Sequence, residues 1–151
     1  MFHTKDIIDR IHNADCLNFM PDIESGIIDL ILADLPYAVT ARNEWDVIIP
    51  MEPLWTQYAR LLKPNGAVVL TAQGMFSAML MVSAKVKYQY SAVWVKGNHT
   101  NQLNAKKQLL RKHEDILVFY NNQPTYNRMF VRLLELEARR RELQAEAIGE
   151  D

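Results

Sequence analysis

Glycine is scarce in this chain of 151 residues: Gly26, Gly66, Gly74, Gly97 and Gly149 are all it has. No two stand close enough for a G-x-G turn, which excludes a glycine-rich dinucleotide or phosphate loop within the chain. Cysteine is rarer still. Cys16 alone cannot build a disulfide scaffold, and it points to a reducing compartment. No apolar run approaches the roughly 18 residues that cross a bilayer. The start, Met1-Phe2-His3-Thr4-Lys5-Asp6, lacks the basic-then-apolar layout of a secretory signal. The histidines (His3, His12, His99 and His113) are scattered, and His113-Glu114 has no second histidine four residues on, so no zinc site is expected. With 49% hydrophobic and 23% charged residues, the chain reads as one soluble, cytoplasmic domain with a real core.

Acid is missing from the middle of the chain. From Pro53 to His113 there is no carboxylate side chain, against nine basic residues: Arg60, Lys63, Lys85, Lys87, Lys96, Lys106, Lys107, Arg111 and Lys112. The segment before it carries ten acids and three bases, and the segment after it eight acids and five bases. The net charge of -1 therefore hides a basic middle between acidic ends. Such a face attracts a polyanion such as nucleic acid, although a solvated basic surface without a partner has the same composition.

What is present reads as alternating strands and helices. Ile7-Ile8 begins a strand-like opening that reaches Ala14-Asp15-Cys16, and Leu17 to Met20 is a helical turn closed by Pro21. Ile27 to Ala33 is a continuous apolar run of strand length, of the kind found in buried parallel strands. Pro53 to Leu62 places Leu54, Trp55, Tyr58, Leu61 and Leu62 at helical spacing, so Trp55 belongs to the core. Lys63-Pro64-Asn65-Gly66 is a stop-and-turn before a second buried strand, Ala67 to Leu70. Met75 to Val86 predicts a helix, with Met75, Met79 and Met81 as core packing. Tyr88 to Val95 and Asp115 to Tyr120 predict strands, separated by a polar, basic loop from Lys96 to Lys112. The pattern predicts an α/β fold, a mostly parallel Rossmann-like sheet flanked by helices. From Asn127 to Asp151 a charged amphipathic helix follows, with Met129, Leu136 and Leu143 seven residues apart, so the domains are expected as 1–126 and 127–151. Its apolar stripe packs on this domain or on a second chain.

Asp34-Leu35-Pro36-Tyr37 directly follows the first apolar strand, at the carboxyl end where open α/β sheets bind ligands. It offers an acceptor carboxylate, backbone carbonyls and an aromatic face. That set suits the exocyclic amine of a flipped base, although Asp-x-Pro-aromatic is also an ordinary turn. Cys16 reads as small apolar filler rather than a nucleophile.

These residues resemble the amino-group (adenine N6 or cytosine N4) DNA methyltransferases, in particular the phage-type adenine enzymes of the permuted β class. Their signature is Asp/Asn-Pro-Pro-Tyr/Phe. The resemblance runs in order from Ile7 to Asn127. It includes Ala14-Asp15-Cys16-Leu17, Ile28 to Tyr37, Trp45-Asp46, Leu54-Trp55, and Leu62-Lys63-Pro64-Asn65-Gly66-Ala67. Further on it takes in Ala72-Gln73-Gly74, Trp94-Val95-Lys96, Leu103 to Lys107, Arg111 to Tyr120, and Gln123 to Asn127.

The resemblance implies an S-adenosylmethionine-dependent transferase that methylates DNA, in the setting of phage or restriction-modification systems and a bacterial or phage-infected cytoplasm. It implies that Asp34 holds the target amine, with the backbone around Leu35-Pro36 as second acceptor and Tyr37 as stacking platform. It assigns cofactor binding to Asp15, the backbone of Cys16 and Asp34. It assigns the DNA face to Lys96, Lys106, Lys107, Arg111, Lys112 and His113, with Asn98, Asn101, Gln102, Asn104 and Gln108 able to read base edges. Two departures stand out. Leu35 replaces the commoner proline, and the family's Phe-x-Gly-x-Gly cofactor loop is missing. The chain is therefore expected to be truncated or one part of a split enzyme, completed by another subunit or paired as a homodimer through the tail helix. The alternative is a catalytically degenerate relative that binds DNA or another protein.

Overall fold

The computed structural model describes residues 4–37, 47–100, 105–107, 109–127 and 139–141. Two short helices lead in, α1 (Thr4–Ile7) and α2 (Cys16–Phe19), followed by a 3-10 turn at Met20–Asp22 that has Pro21 in its first turn. The expected strand-like opening at Ile7-Ile8 is instead the end of α1 and a turn. Ile8 and Ile11 are exposed among charged neighbours, and Ile7 packs against the core from the end of the helix.

Four strands form one sheet in the order β1-β2-β4-β3. β1 (Ile28–Asp34) and β2 (Leu62–Ala72) run parallel, joined through α3 (Met51–Leu61). β4 (Arg111–Phe119) lies antiparallel to β2 and also to β3 (Tyr88–Thr100). The α/β class holds, but where a mostly parallel sheet is expected the described strands make one parallel pair and two antiparallel ones. Beyond α4 (Met75–Ser83), β3 and β4 follow each other with no helix between them among the described residues, and they pair antiparallel.

The expected turn Lys63-Pro64-Asn65-Gly66 lies within β2 as a bulge: Ile28 pairs with Leu62, but Leu30 already pairs with Ala67. Gly66 allows it. A Cβ there would stand 2.9 Å from the Ile28 carbonyl oxygen. The loop expected at 96–112 is shorter than its polarity implies, because β3 continues to Thr100 and β4 starts at Arg111. Backbone pairing tolerates polar side chains where both faces meet water.

One core lies on one face of the sheet. Leu54, Trp55, Tyr58 and Leu61 of α3 meet Phe76 and Leu80 of α4 over Val68, Leu70, Leu117 and Phe119. Trp55 is fully buried, its ring 4.9 Å from Phe119, and its Nε1 donates to Ser83 Oγ at 3.1 Å. Two expectations are corrected here. Among the described residues β1 is an edge strand with one face open, not a buried one: Ile31 and Ala33 pack inward, while Leu30 and Leu32 face outward, 53% and 70% exposed. Met75 is exposed because it opens α4 on the side away from the core, whereas Met79 and Met81 do pack against it. Of the expected tail helix only 139–141 is described; it is helical and exposed, and the remainder of that expectation lies outside the described residues. No helix among the described residues is long and apolar enough to cross a membrane.

Candidate active site

The parallel pairing of β1 with β2 brings Asp34 opposite Thr71 at the carboxyl ends of both strands. The antiparallel β4 enters at this same edge, with Ile116 opposite Thr71 and Asp115 opposite Ala72. β3 leaves at this edge too, with Trp94 opposite Glu114 and Val95 opposite His113. The topology thus carries the basic β3–β4 connection to the edge that holds Asp34.

Asp34 is exposed, Leu35 buried, and Pro36 and Tyr37 half-buried. Leu35 anchors the turn in the core. The Tyr37 hydroxyl lies 3.0 Å from Asp34 Oδ1 and 3.0 Å from Thr71 Oγ1, and the Thr71 hydroxyl donates to the same Asp34 Oδ1. Three oxygens share two protons, so the phenol proton is divided between two acceptors. The Tyr37 ring packs at 31° against Phe76, with centroids 4.9 Å apart. Burial raises the Tyr37 phenol well above its ordinary range; the carboxylates of Asp34 and Glu114 add to this and the Thr71 hydrogen bond opposes it. The group is a neutral donor at any physiological pH. A hydrogen-bond donor aimed at a carboxylate fixes where that carboxylate can accept from a ligand.

Asp15 and Cys16 come together with Pro36 in a second cavity of about 340 Å³, completed by Leu17 and the segment from Val47 to Pro50. That volume is at the lower end of the roughly 300–1,000 Å³ typical of small-molecule sites. Asp15 caps α2, its Oδ1 accepting from Asn18 N at 3.0 Å, and a carboxylate in this role keeps acceptor capacity on its second oxygen. Burial and the Asp15 charge raise the Cys16 thiol, which keeps it protonated and suits filler rather than a nucleophile. The pocket offers an acceptor and apolar walls, a set that fits an adenine ring. A larger apolar groove of about 500 Å³ lies between Tyr37, Ile48 and the α4 residues Met75, Phe76 and Met79.

The nine basic residues of the middle segment divide into two groups. Arg60 donates to the carbonyls of Met20 and Ile23 and to Ser25 Oγ, tying α3 to the lead-in. Lys63 pairs with Asp29, Lys85 with Glu52 and Lys96 with Glu114. Lys87, Lys106, Lys107 and Lys112 are exposed, as are Arg111 and His113. Arg111 Nη1 donates to Gln73 Oε1 at 2.9 Å, and Gln73 Nε2 donates to the His113 carbonyl at 3.0 Å, so the start of β4 is clamped beside β2. Asn98 is exposed on β3; Trp45, Asp46, Asn101, Gln102, Asn104 and Gln108 lie outside the described residues. No cluster of metal-ligating side chains occurs among the described residues.

Sequence reasoning missed Thr71, Glu114 and Phe76. The available signal for Thr71 was that two apolar runs of strand length end in polar residues, Asp34 and Thr71, which parallel strands must bring to one edge.

No curated protein matches the chain in sequence. Solved structures match its fold. The M1.HpyAVI–SAM complex is 20% identical with a TM-score of 0.56, over 82% of this chain and 64% of that one. TTHA0409 from Thermus thermophilus, assigned as a DNA modification methylase, is 16% identical with a TM-score of 0.56, over 82% of this chain and 57% of its own. The cytosine-N4-specific PvuII DNA methyltransferase is 14% identical with a TM-score of 0.53, over 74% and 49%. The chain therefore spans between about half and two thirds of the length of these structures. The sequence profile of the N6/N4 DNA methylases matches residues 28–148, from the first residue of β1 into the charged tail. An Asp-Leu-Pro-Tyr turn at the carboxyl end of β1, the fold shared with these structures, and a profile match over most of the chain place it in the DNA methylase family.

Proposed function

We propose that this chain is the catalytic part of an S-adenosylmethionine-dependent DNA methyltransferase acting on an exocyclic amine, adenine N6 in the first instance, and that it works with a further segment or subunit. The observation that carries this reading is the exposed Asp34 carboxylate, held from one side by Thr71 and Tyr37 at the sheet edge to which the basic β3–β4 connection runs. An amine conjugated with a ring is a poor nucleophile. Asp34 accepts one of its N–H bonds, and a carbonyl of the Leu35-Pro36 backbone accepts the other. This draws the nitrogen toward tetrahedral geometry and frees its lone pair. Tyr37 offers the ring face against the flipped base. When bound, S-adenosylmethionine supplies an electrophilic methyl group on its sulfonium; Asp15, Cys16 and Pro36 would hold its adenine end. Lys106, Lys107, Arg111 and Lys112 engage phosphates. The need for a further part rests on the chain's few glycines and on the length it lacks relative to its neighbours.

The reading is tested by transfer of a labelled methyl group to varied DNA, by the full chain alone and with any co-encoded partner. Transfer that Asp34→Ala abolishes without loss of DNA affinity supports it, and no transfer under any of these conditions overturns it. The missing glycine loop favours a second reading, a degenerate relative that keeps the DNA face alone. Calorimetry separates the two, because S-adenosylmethionine binding near micromolar Kd, about -8 kcal/mol, excludes the degenerate form.

A further inference from the structure

We propose that Thr71 is a positioning residue that sets the rotamer of Asp34 and reserves one carboxylate oxygen for the substrate amine; the second half of this statement rests on the proposed function. Asp34 is exposed, so packing does not orient it, and an aspartate's carboxylate torsion is broad. Its orientation must come from hydrogen bonds. Among the described residues both donors, Thr71 and Tyr37, fall on Oδ1, and none falls on Oδ2. Of the two donors, Thr71 is the stiffer. It is β-branched, sits within a strand and is the register partner of Asp34, so its hydroxyl is placed by the backbone ladder. The Tyr37 proton is shared between Asp34 and Thr71 itself, so Thr71 also fixes the acceptor for the phenol. Holding the carboxylate before the substrate arrives removes the orientational cost at the moment of reaction.

The test uses the full chain and three variants, with any co-encoded partner present in the transfer assay. In NMR spectra the β-proton couplings of Asp34 should report one rotamer in the wild type and in Thr71→Ser, and an average of rotamers in Thr71→Val, which keeps the shape and loses the hydroxyl. In single-turnover methyl transfer, Thr71→Val should slow the chemical step by about tenfold or more, with S-adenosylmethionine and DNA affinity unchanged within about twofold, and Thr71→Ser should restore most of the rate. A single Asp34 rotamer in Thr71→Val overturns the positioning role whatever the activity. If Asp34→Ala leaves methyl transfer intact, the proposed function fails, while the couplings still decide the role of Thr71.

Discussion

Lys96 on β3 and Glu114 on β4 form an ion pair whose side chains are 27% and 14% exposed, and the Lys96 ammonium stands 5.4 Å from the centre of the Trp94 ring. This lysine is held by the sheet, unlike the exposed Lys106, Lys107 and Lys112. Neutralising those three together should flatten the dependence of log DNA affinity on log salt by about 0.9 for each phosphate they had neutralised. Lys96→Ala should leave that slope nearly unchanged and cost about 2 kcal/mol of stability, because Glu114 is left without its partner. Fluorescence anisotropy across a salt series, together with urea denaturation, separates the two effects. Equal slope changes from all four lysines would contradict this division.

Tyr37 combines a ring packed on Phe76 with a hydroxyl shared between Asp34 and Thr71. Tyr37→Phe keeps the ring and removes the proton, so methyl transfer should fall by only about 3- to 10-fold, whereas Tyr37→Ala should cost about 100-fold or more. Single-turnover rates at saturating DNA check the ordering, and equal losses would show that the ring face contributes nothing.

Two phenols, Tyr58 buried and Tyr37 half-buried, make the fold sensitive to base. Burial pushes Tyr58 up to about 12 from 10.0, and Tyr37 is raised in the same direction. The folded chain therefore keeps protons that the unfolded chain releases. The stabilisation is fully present below about pH 10 and is lost as pH rises toward the folded-state values, by roughly 2–3 kcal/mol for Tyr58 alone. Urea midpoints at about pH 9 and about pH 11.5 should differ accordingly, and Tyr58→Phe should reduce that difference.

Gly66 should tolerate no side chain. A methyl group there would meet the Ile28 carbonyl oxygen and Leu62 Cδ2, each at 2.9 Å, and the Lys63 carbonyl oxygen at 3.1 Å. Backbone atoms cannot swing aside as a side-chain tip can, so Gly66→Ala should cost about 1–3 kcal/mol in thermal or urea unfolding. At Gly26 the space is open and only the positive φ of 68° opposes a side chain, so Gly26→Ala should cost about 1 kcal/mol.

The parts of this chain that follow from local chemistry were legible in its sequence. Apolar runs and a proline near the start give α3 and the two parallel strands, and Trp55 reads as core from helical spacing alone. The Asp34-Leu35-Pro36-Tyr37 turn is visible because a strand must end at a proline. What escaped depends on pairing. Thr71 gains its meaning from register with Asp34, and Glu114 from an ion pair across two strands. The outward face of β1 escaped for a related reason. Leu30 and Leu32 have the composition of a buried strand, and only the tertiary arrangement reveals that no described element covers their face of this edge strand.

That edge has a colloidal consequence. Natural edge strands are guarded by charge, proline or a bulge; β1 has Asp29 and Asp34 near its ends and a bulge opposite its start, but Leu30-Ile31-Leu32-Ala33 between them carries no charge, and its leucines face water. Such a border is a template for pairing with further strands. Prepared by itself the chain should sediment as growing assemblies above micromolar concentration, and a gatekeeper change such as Leu32→Lys should keep it dispersed while leaving the core on the other face of the sheet untouched.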